Sequence, residues 1–138
     1  MPTPEEHEQR LETLYEGVWN GADPDVADEL VAPDYLIHDR DLAAQLRGPD
    51  LYRALADGTR EVFPDMHLTV EDVFGAGDRV AARWTMTGTH QGSLFGEEPT
   101  GREVQLPAVE INRFEGGLLA ETWTQSDMLG LKRQVTEE

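Results

Sequence analysis

RVAARWTMTGTHQGSLFGEEPTGREVQLPAVEINRFEGGLLAETWTQSD, residues 79–127, is the stretch whose reading decides the fold. It predicts three consecutive strands. Arg79 to His90 is rich in Val, Thr, Trp and Met and follows the turn Ala76-Gly77-Asp78. A loop holding Gly92, Gly96, Pro99 and Gly101 leads to a second strand, Glu103 to Phe114. The turn Glu115-Gly116-Gly117 then opens a third, Leu118 to about Asp127. Glycine pairs between β-rich runs mark hairpins, because glycine takes a positive φ without steric penalty.

Alternation along these strands sorts their side chains. Val80, Ala82, Trp84, Met86 and His90 share one face, which should point inward. In the second strand Leu106, Ala108, Glu110, Asn112 and Phe114 share a face, and Pro107, Val109, Ile111 and Arg113 share the other. Both faces carry apolar residues, so the pattern leaves the register open. Glu121, Trp123, Gln125 and Asp127 share a face of the last strand. Trp, Met, Glu and Asn gathered on one sheet read as a pocket wall.

Upstream, Thr3-Pro4-Glu5-Glu6 opens a helix as a capping box, and Leu11, Leu14, Tyr15, Val18 and Trp19 form its apolar stripe. Asp23-Pro24 starts a short second helix that buries Val26, Ala27, Leu30 and Val31 and stops at Pro33. Asp34 to Asp39 is a short strand, and Arg40 to Arg47 a polar excursion or loose helical turn. Gly48-Pro49-Asp50 starts a third helix that ends at Pro64, and Met66 to Phe74 is a further strand. Residues beyond Leu129 are expected as a partly flexible tail, fraying after Val135. Helices followed by a mostly antiparallel sheet make an α+β fold of one domain over residues 1–138. A bent sheet wrapped on a long helix leaves a cone with an apolar interior, suited to a small molecule.

Composition narrows the partners. Asp and Glu number 28 against 11 Lys and Arg, giving a formal net charge of −17, and Lys132 is the single lysine. A chain without a basic stripe is a poor ligand for nucleic acid. Acids dispersed over the chain suggest a high-salt organism, where self-repulsion is screened. No apolar run reaches 18 residues and the N-terminus lacks a signal-like pattern, so no membrane span is expected and the cytoplasm is the default compartment. The absence of Cys excludes disulfide and thiolate chemistry. His38-Asp39-Arg40-Asp41 has metal-binding residue types without a convincing spacing, so neither a metal nor another cofactor is expected.

The element order and several motifs resemble the SnoaL-like polyketide cyclases, also labelled ester cyclases. The residues that carry the resemblance are Gly88-Thr89-His90-Gln91-Gly92, Phe95-Gly96, Pro99-Thr100-Gly101, Ile111-Asn112-Arg113-Phe114-Glu115-Gly116-Gly117, and Glu121-Thr122-Trp123 with Asp127. That family shares the cystatin-like cone of ketosteroid isomerase, scytalone dehydratase and nuclear transport factor two. Its founding members close the last ring of anthracycline-type polyketides by an intramolecular aldol reaction without a cofactor. The resemblance implies a similar pocket and a cyclase, isomerase or dehydratase chemistry on a small apolar carbonyl compound. In ketosteroid isomerase a protonated acid three residues before an Arg-Phe pair donates to the oxyanion, and Glu110 stands three residues before Arg113-Phe114. The isomerase's base corresponds loosely to His38-Asp39, and its oxyanion Tyr loosely to Tyr15.

The candidate site follows. Glu110, between Val109 and Ile111, would have its pKa raised by desolvation, which suits an acid. His38 is a fit general base at the cone mouth. Glu121 and Asp127 remain alternatives to Glu110 as the acid. Tyr15, Trp19, Trp84, Met86, His90 and Trp123 are the expected substrate-binding residues. Two other readings stand beside the enzyme: a carrier of a hydrophobic ligand in the same cone, and an oligomer-building scaffold. In all three the outer sheet face, with Arg83, Thr85 and Thr87, would join two copies into a homodimer.

Overall fold

The computed structural model of the protein describes residues 2–38 and 46–137. Helix α1 (Pro4–Leu14) begins where Thr3 Oγ1 accepts the Glu6 amide, 3.2 Å, with proline in the first turn. It buries Leu11 and Leu14 and runs straight into a π-helical turn, Tyr15–Trp19. Helix α2 is a single short segment, Val26–Leu30. Strand β1 (Val31–Ile37) follows at once and runs through Pro33, so Val31 begins a strand instead of ending a helix. An edge strand tolerates the missing proline N–H, which a helix interior does not. The expected excursion after His38 falls largely on residues 39–45, outside the described residues.

Helix α3 (Gly48–Val62) precedes four strands in a meander, β2 (His67–Ala76), β3 (Arg79–Thr89), β4 (Glu103–Glu115) and β5 (Leu118–Ser126). The sheet order is β1-β5-β4-β3-β2, with β1 parallel to β5 and every other pair antiparallel. This is the expected α+β cone: helices packed on one face of an unclosed, curved, five-stranded sheet.

The register that alternation left open is set by pairing. Glu110 lies between Ala82 on β3 and Thr124 on β5, while Ile111 lies between Ala81 and Trp123. Leu106, Ala108, Glu110, Asn112 and Phe114 therefore face the helices, and all five are buried. Burying each large apolar side chain of this face contributes about 1.5–3 kcal/mol. The segment expected as a tail is instead helix α4 (Met128–Thr136), with Leu131 and Val135 buried.

Candidate active site

Two groups of polar residues occupy opposite faces of the same strands. The inner group is centred on Glu110, 7% exposed. Tyr15 donates its hydroxyl to Glu110 Oε1 in a very short hydrogen bond, and Asn112 Nδ2 donates to the same oxygen at 3.4 Å. Thr124 Oγ1 donates to Oε2 at 3.1 Å. Behind Asn112, its Oδ1 accepts from Thr122 Oγ1 at 2.8 Å, and Thr122 in turn accepts from Tyr35 at 2.9 Å. Each link has a defined donor, so the chain of hydrogen bonds ends on the carboxyl.

The π-helical turn is what delivers Tyr15. The Asn20 amide reaches back to the Tyr15 carbonyl at 2.9 Å, a five-residue span that widens the helix there. Such turns recur at functional positions. Gly17 is required inside it, since an added Cβ would lie 2.7 Å from Val26 Cγ1 and 2.8 Å from the Asp23 carbonyl.

Burial pushes the Glu110 carboxyl above its ordinary pKa, and the hydrogen bonds from Tyr15, Thr124 and Asn112 oppose that shift. Burial and the neighbouring Glu110 charge push the Tyr15 phenol well above 10. Tyr15 thus stays a donor. Glu110 and Thr124 open onto a cavity of about 330 Å³ whose remaining walls are mainly apolar, among them Trp19, Ile37, Phe63, Trp84, Met86 and Leu131. Among the described residues Glu110 is the one ionisable side chain lining it. The cavity is near the small end of the range for ligand sites, fitting a compact ligand.

The outer group is built on His38. Its Nε2 lies 2.6 Å from Glu121 Oε2, and Arg113 Nε donates to Glu121 Oε1 at 2.9 Å. The His38 ring stacks on Trp123 at 5.0 Å, and the Arg79 guanidinium lies over the same indole at 5.2 Å. His38 and Arg113 hold the Glu121 carboxyl below its usual range. His38 and Glu121 therefore do not face Glu110, because a strand sends neighbouring residues to opposite sides. Trp123 is on that outer face too, away from the cavity. Asp39 lies outside the described residues.

The other expected residues separate as clearly. Tyr15 meets Glu110, and Trp19, Trp84 and Met86 line the cavity. Asp127 is exposed and caps α4, its Oδ1 accepting the Gly130 amide at 2.8 Å. His90 is fully buried but absent from the cavity wall. Its Nδ1 accepts the Thr100 amide at 3.2 Å and lies 2.9 Å from Thr100 Oγ1, tying down the loop after β3. Sequence reasoning missed Thr124 and Leu131. Thr124 was not legible, because a bulge between Arg113 and Phe114 shifts β5 by one residue from the register that the Gly116-Gly117 turn sets, and that shift brings Thr124 opposite Glu110.

The family profile of the SnoaL-like polyketide cyclases matches residues 9–135. The chain belongs to that family. TsrD from Streptomyces laurentii is 28% identical, with complete coverage of both chains and a TM-score of 0.86. IdmH from Streptomyces antibioticus, a candidate polyketide cyclase, is 32% identical over 93% of this chain and 96% of its own, TM-score 0.79. AclR from Streptomyces galilaeus, a candidate hydroxylase, is 27% identical over 99% of both chains, TM-score 0.81. No curated protein matches the sequence. Family membership supports a cyclase- or isomerase-like role in general. No described helix is long and apolar enough to cross a membrane.

Proposed function

We propose that this family member is an enzyme that enolises a compact, largely apolar carbonyl compound without a cofactor, with Glu110 as the acid/base. The observation that carries the reading is a buried carboxyl, oriented by Tyr15 and Thr124, opening onto an apolar cavity with no second ionisable group among the described residues. Glu110 as carboxylate takes a proton from the carbon beside the carbonyl, and the electron pair moves onto the carbonyl oxygen. The carboxylic acid so formed returns the proton to another carbon or to oxygen, giving isomerisation; alternatively the enolate carbon attacks a second carbonyl and Glu110 returns its proton to the alkoxide that forms, giving cyclisation and restoring the carboxylate. Desolvation brings the carboxyl pKa toward the operating pH, where an acid/base is most effective. The Tyr15 hydrogen bond keeps the carboxylate form accessible.

His38 enters no step of this mechanism, because the sheet stands between it and the cavity. Glu121 enters none for the same geometric reason, and Asp127 enters none because its carboxyl caps α4 and does not line the cavity. A crystal structure with 2-naphthol, a bicyclic enol, tests the reading. The naphthol oxygen is expected within hydrogen-bond distance of Glu110. Naphthol seated beside His38 and Glu121, or in the cavity with its oxygen turned from Glu110, would sink it.

The predominantly apolar wall also favours a second reading, a carrier that binds such a ligand without turnover. A wild-type protein that binds naphthol at Glu110 yet leaves ketone protons unexchanged would select it. Phe74 and Val109, both largely exposed on the outer face, support pairing of two copies through that face. The dispersed negative charge supports a high-salt setting.

A further inference from the structure

Trp84 sits on the inner face of β3, 7% exposed, with its indole in the cavity wall. Its Nε1–H is buried and has no hydrogen-bond partner among the described residues. The sheet register sets Trp84 beside Glu110. Trp84 pairs with Ala108 and Ala82 pairs with Glu110, so Trp84 and Glu110 are diagonal neighbours on one face. A diagonal separation of about 7–8 Å is within reach of an indole. Trp84 and Glu110 both line the cavity, and no acceptor meets the N–H in hydrogen-bond geometry. An unmade hydrogen bond in a buried site is unfavourable, and native chains leave few of them without a functional reason.

We propose that Trp84 is a catalytic hydrogen-bond donor, its Nε1–H kept available for the carbonyl oxygen of the substrate. The inference rests on the reading of the cavity given above and adds a residue to it. When Glu110 removes the proton from carbon, negative charge develops on the substrate oxygen, and Glu110 cannot stabilise that charge with a proton it has only just received. Trp84 supplies a preorganised donor at the same face of the cavity. A donor aimed at developing charge acts mainly on the transition state. The ligand class follows: compact, apolar, and carrying one carbonyl or enol oxygen placed between Trp84 and Glu110.

The test uses 2-naphthol and naphthalene, which differ by the one oxygen. Indole N–H resonances of ¹⁵N-labelled wild-type protein are followed as each is added, with Trp84→Phe assigning the Trp84 signal. Naphthol should move the Trp84 Nε1–H resonance downfield and naphthalene should not. The preference for naphthol over naphthalene should fall about tenfold in Trp84→Phe, the loss of roughly one hydrogen bond. An unmoved resonance with an unchanged preference overturns the role of Trp84. If Glu110→Gln meanwhile removes the preference, the reading of the cavity stands without Trp84. A wild-type protein that does not distinguish the two probes overturns both. Should Trp84→Phe fold poorly, Trp19→Phe and Trp123→Phe assign the other two indoles, and the shift of the remaining wild-type signal decides.

Discussion

Glu110 couples the stability of the chain to its chemistry. Burial raises its pKa in the folded protein above the value in the unfolded chain. Its contribution to stability is therefore complete below the ordinary carboxylate range and is lost as pH rises through the raised folded value. Glu110→Gln should match the wild type in thermal stability near about pH 4, where both side chains are neutral, and exceed it near about pH 8. A variant less stable at both pH values would contradict the burial argument. Tyr15→Phe removes the largest influence opposing that shift. The Glu110 titration, read by ¹³C NMR of its carboxyl carbon, should move upward in the variant, and a downward move would contradict the assignment. A hydrogen bond to a charged group contributes about 1.5–3 kcal/mol, so a shift of a pH unit or more is expected. Glu110 was legible as a candidate from its flanking Val109 and Ile111 and its place three residues before Arg113-Phe114, but the face it takes was not, since both faces of β4 carry apolar residues. The face that His38 takes was not legible, because it depends on how β1 pairs with β5, a contact between residues 31–37 and 119–122 that no local pattern encodes.

At the scale of elements, the helices and the meander were visible from caps, turns and periodicity, while two boundaries were not. Val31 fits the apolar side of a helix, and it is parallel pairing with Leu119 that makes it a strand residue. Helix α4 was hidden because it is only nine residues long and Gly130 weakens its first turn. Its stability comes from burying Leu131 and Val135 and from the Asp127 cap. The loop after β3 is fixed by a close approach: a Cβ at Gly92 would lie 2.4 Å from the Glu61 carbonyl. Asp127→Ala should lower stability by about 1 kcal/mol, measured by urea unfolding, because a helix loses its capping acceptor. Ketone exchange by the folded variant should keep the wild-type pH dependence. Exchange abolished in a folded Asp127→Ala protein would show that Asp127 does more than cap.

For the molecule as a whole, charge and the outer face act together. Two copies each carrying a formal charge of −17 repel one another at low salt. Raising salt from about 0.1 M to about 1 M shortens the screening length from about 10 Å to about 3 Å. Sedimentation should show a homodimer whose share grows across that range, as screening lets the faces bearing Phe74 and Val109 meet. A monomer at every salt concentration, or a dimer that dissociates as salt rises, would contradict this. Composition makes the acidity plain, but pairing depends on which face the helices leave uncovered, and that follows only from the register.

The most direct test of the central claim is exchange of the protons beside the carbonyl of 2-tetralone, a compact bicyclic ketone, in D₂O. Rates would be followed by NMR against pH for the wild type, Glu110→Gln and His38→Ala. Glu110 as the base predicts a wild-type rate well above buffer, rising through a pKa above the usual carboxylate range. It also predicts a fall of about 100-fold or more in Glu110→Gln, the scale of one general acid/base, and little change in His38→Ala. A rate that survives Glu110→Gln and collapses in His38→Ala would place the chemistry on the outer face and contradict the account.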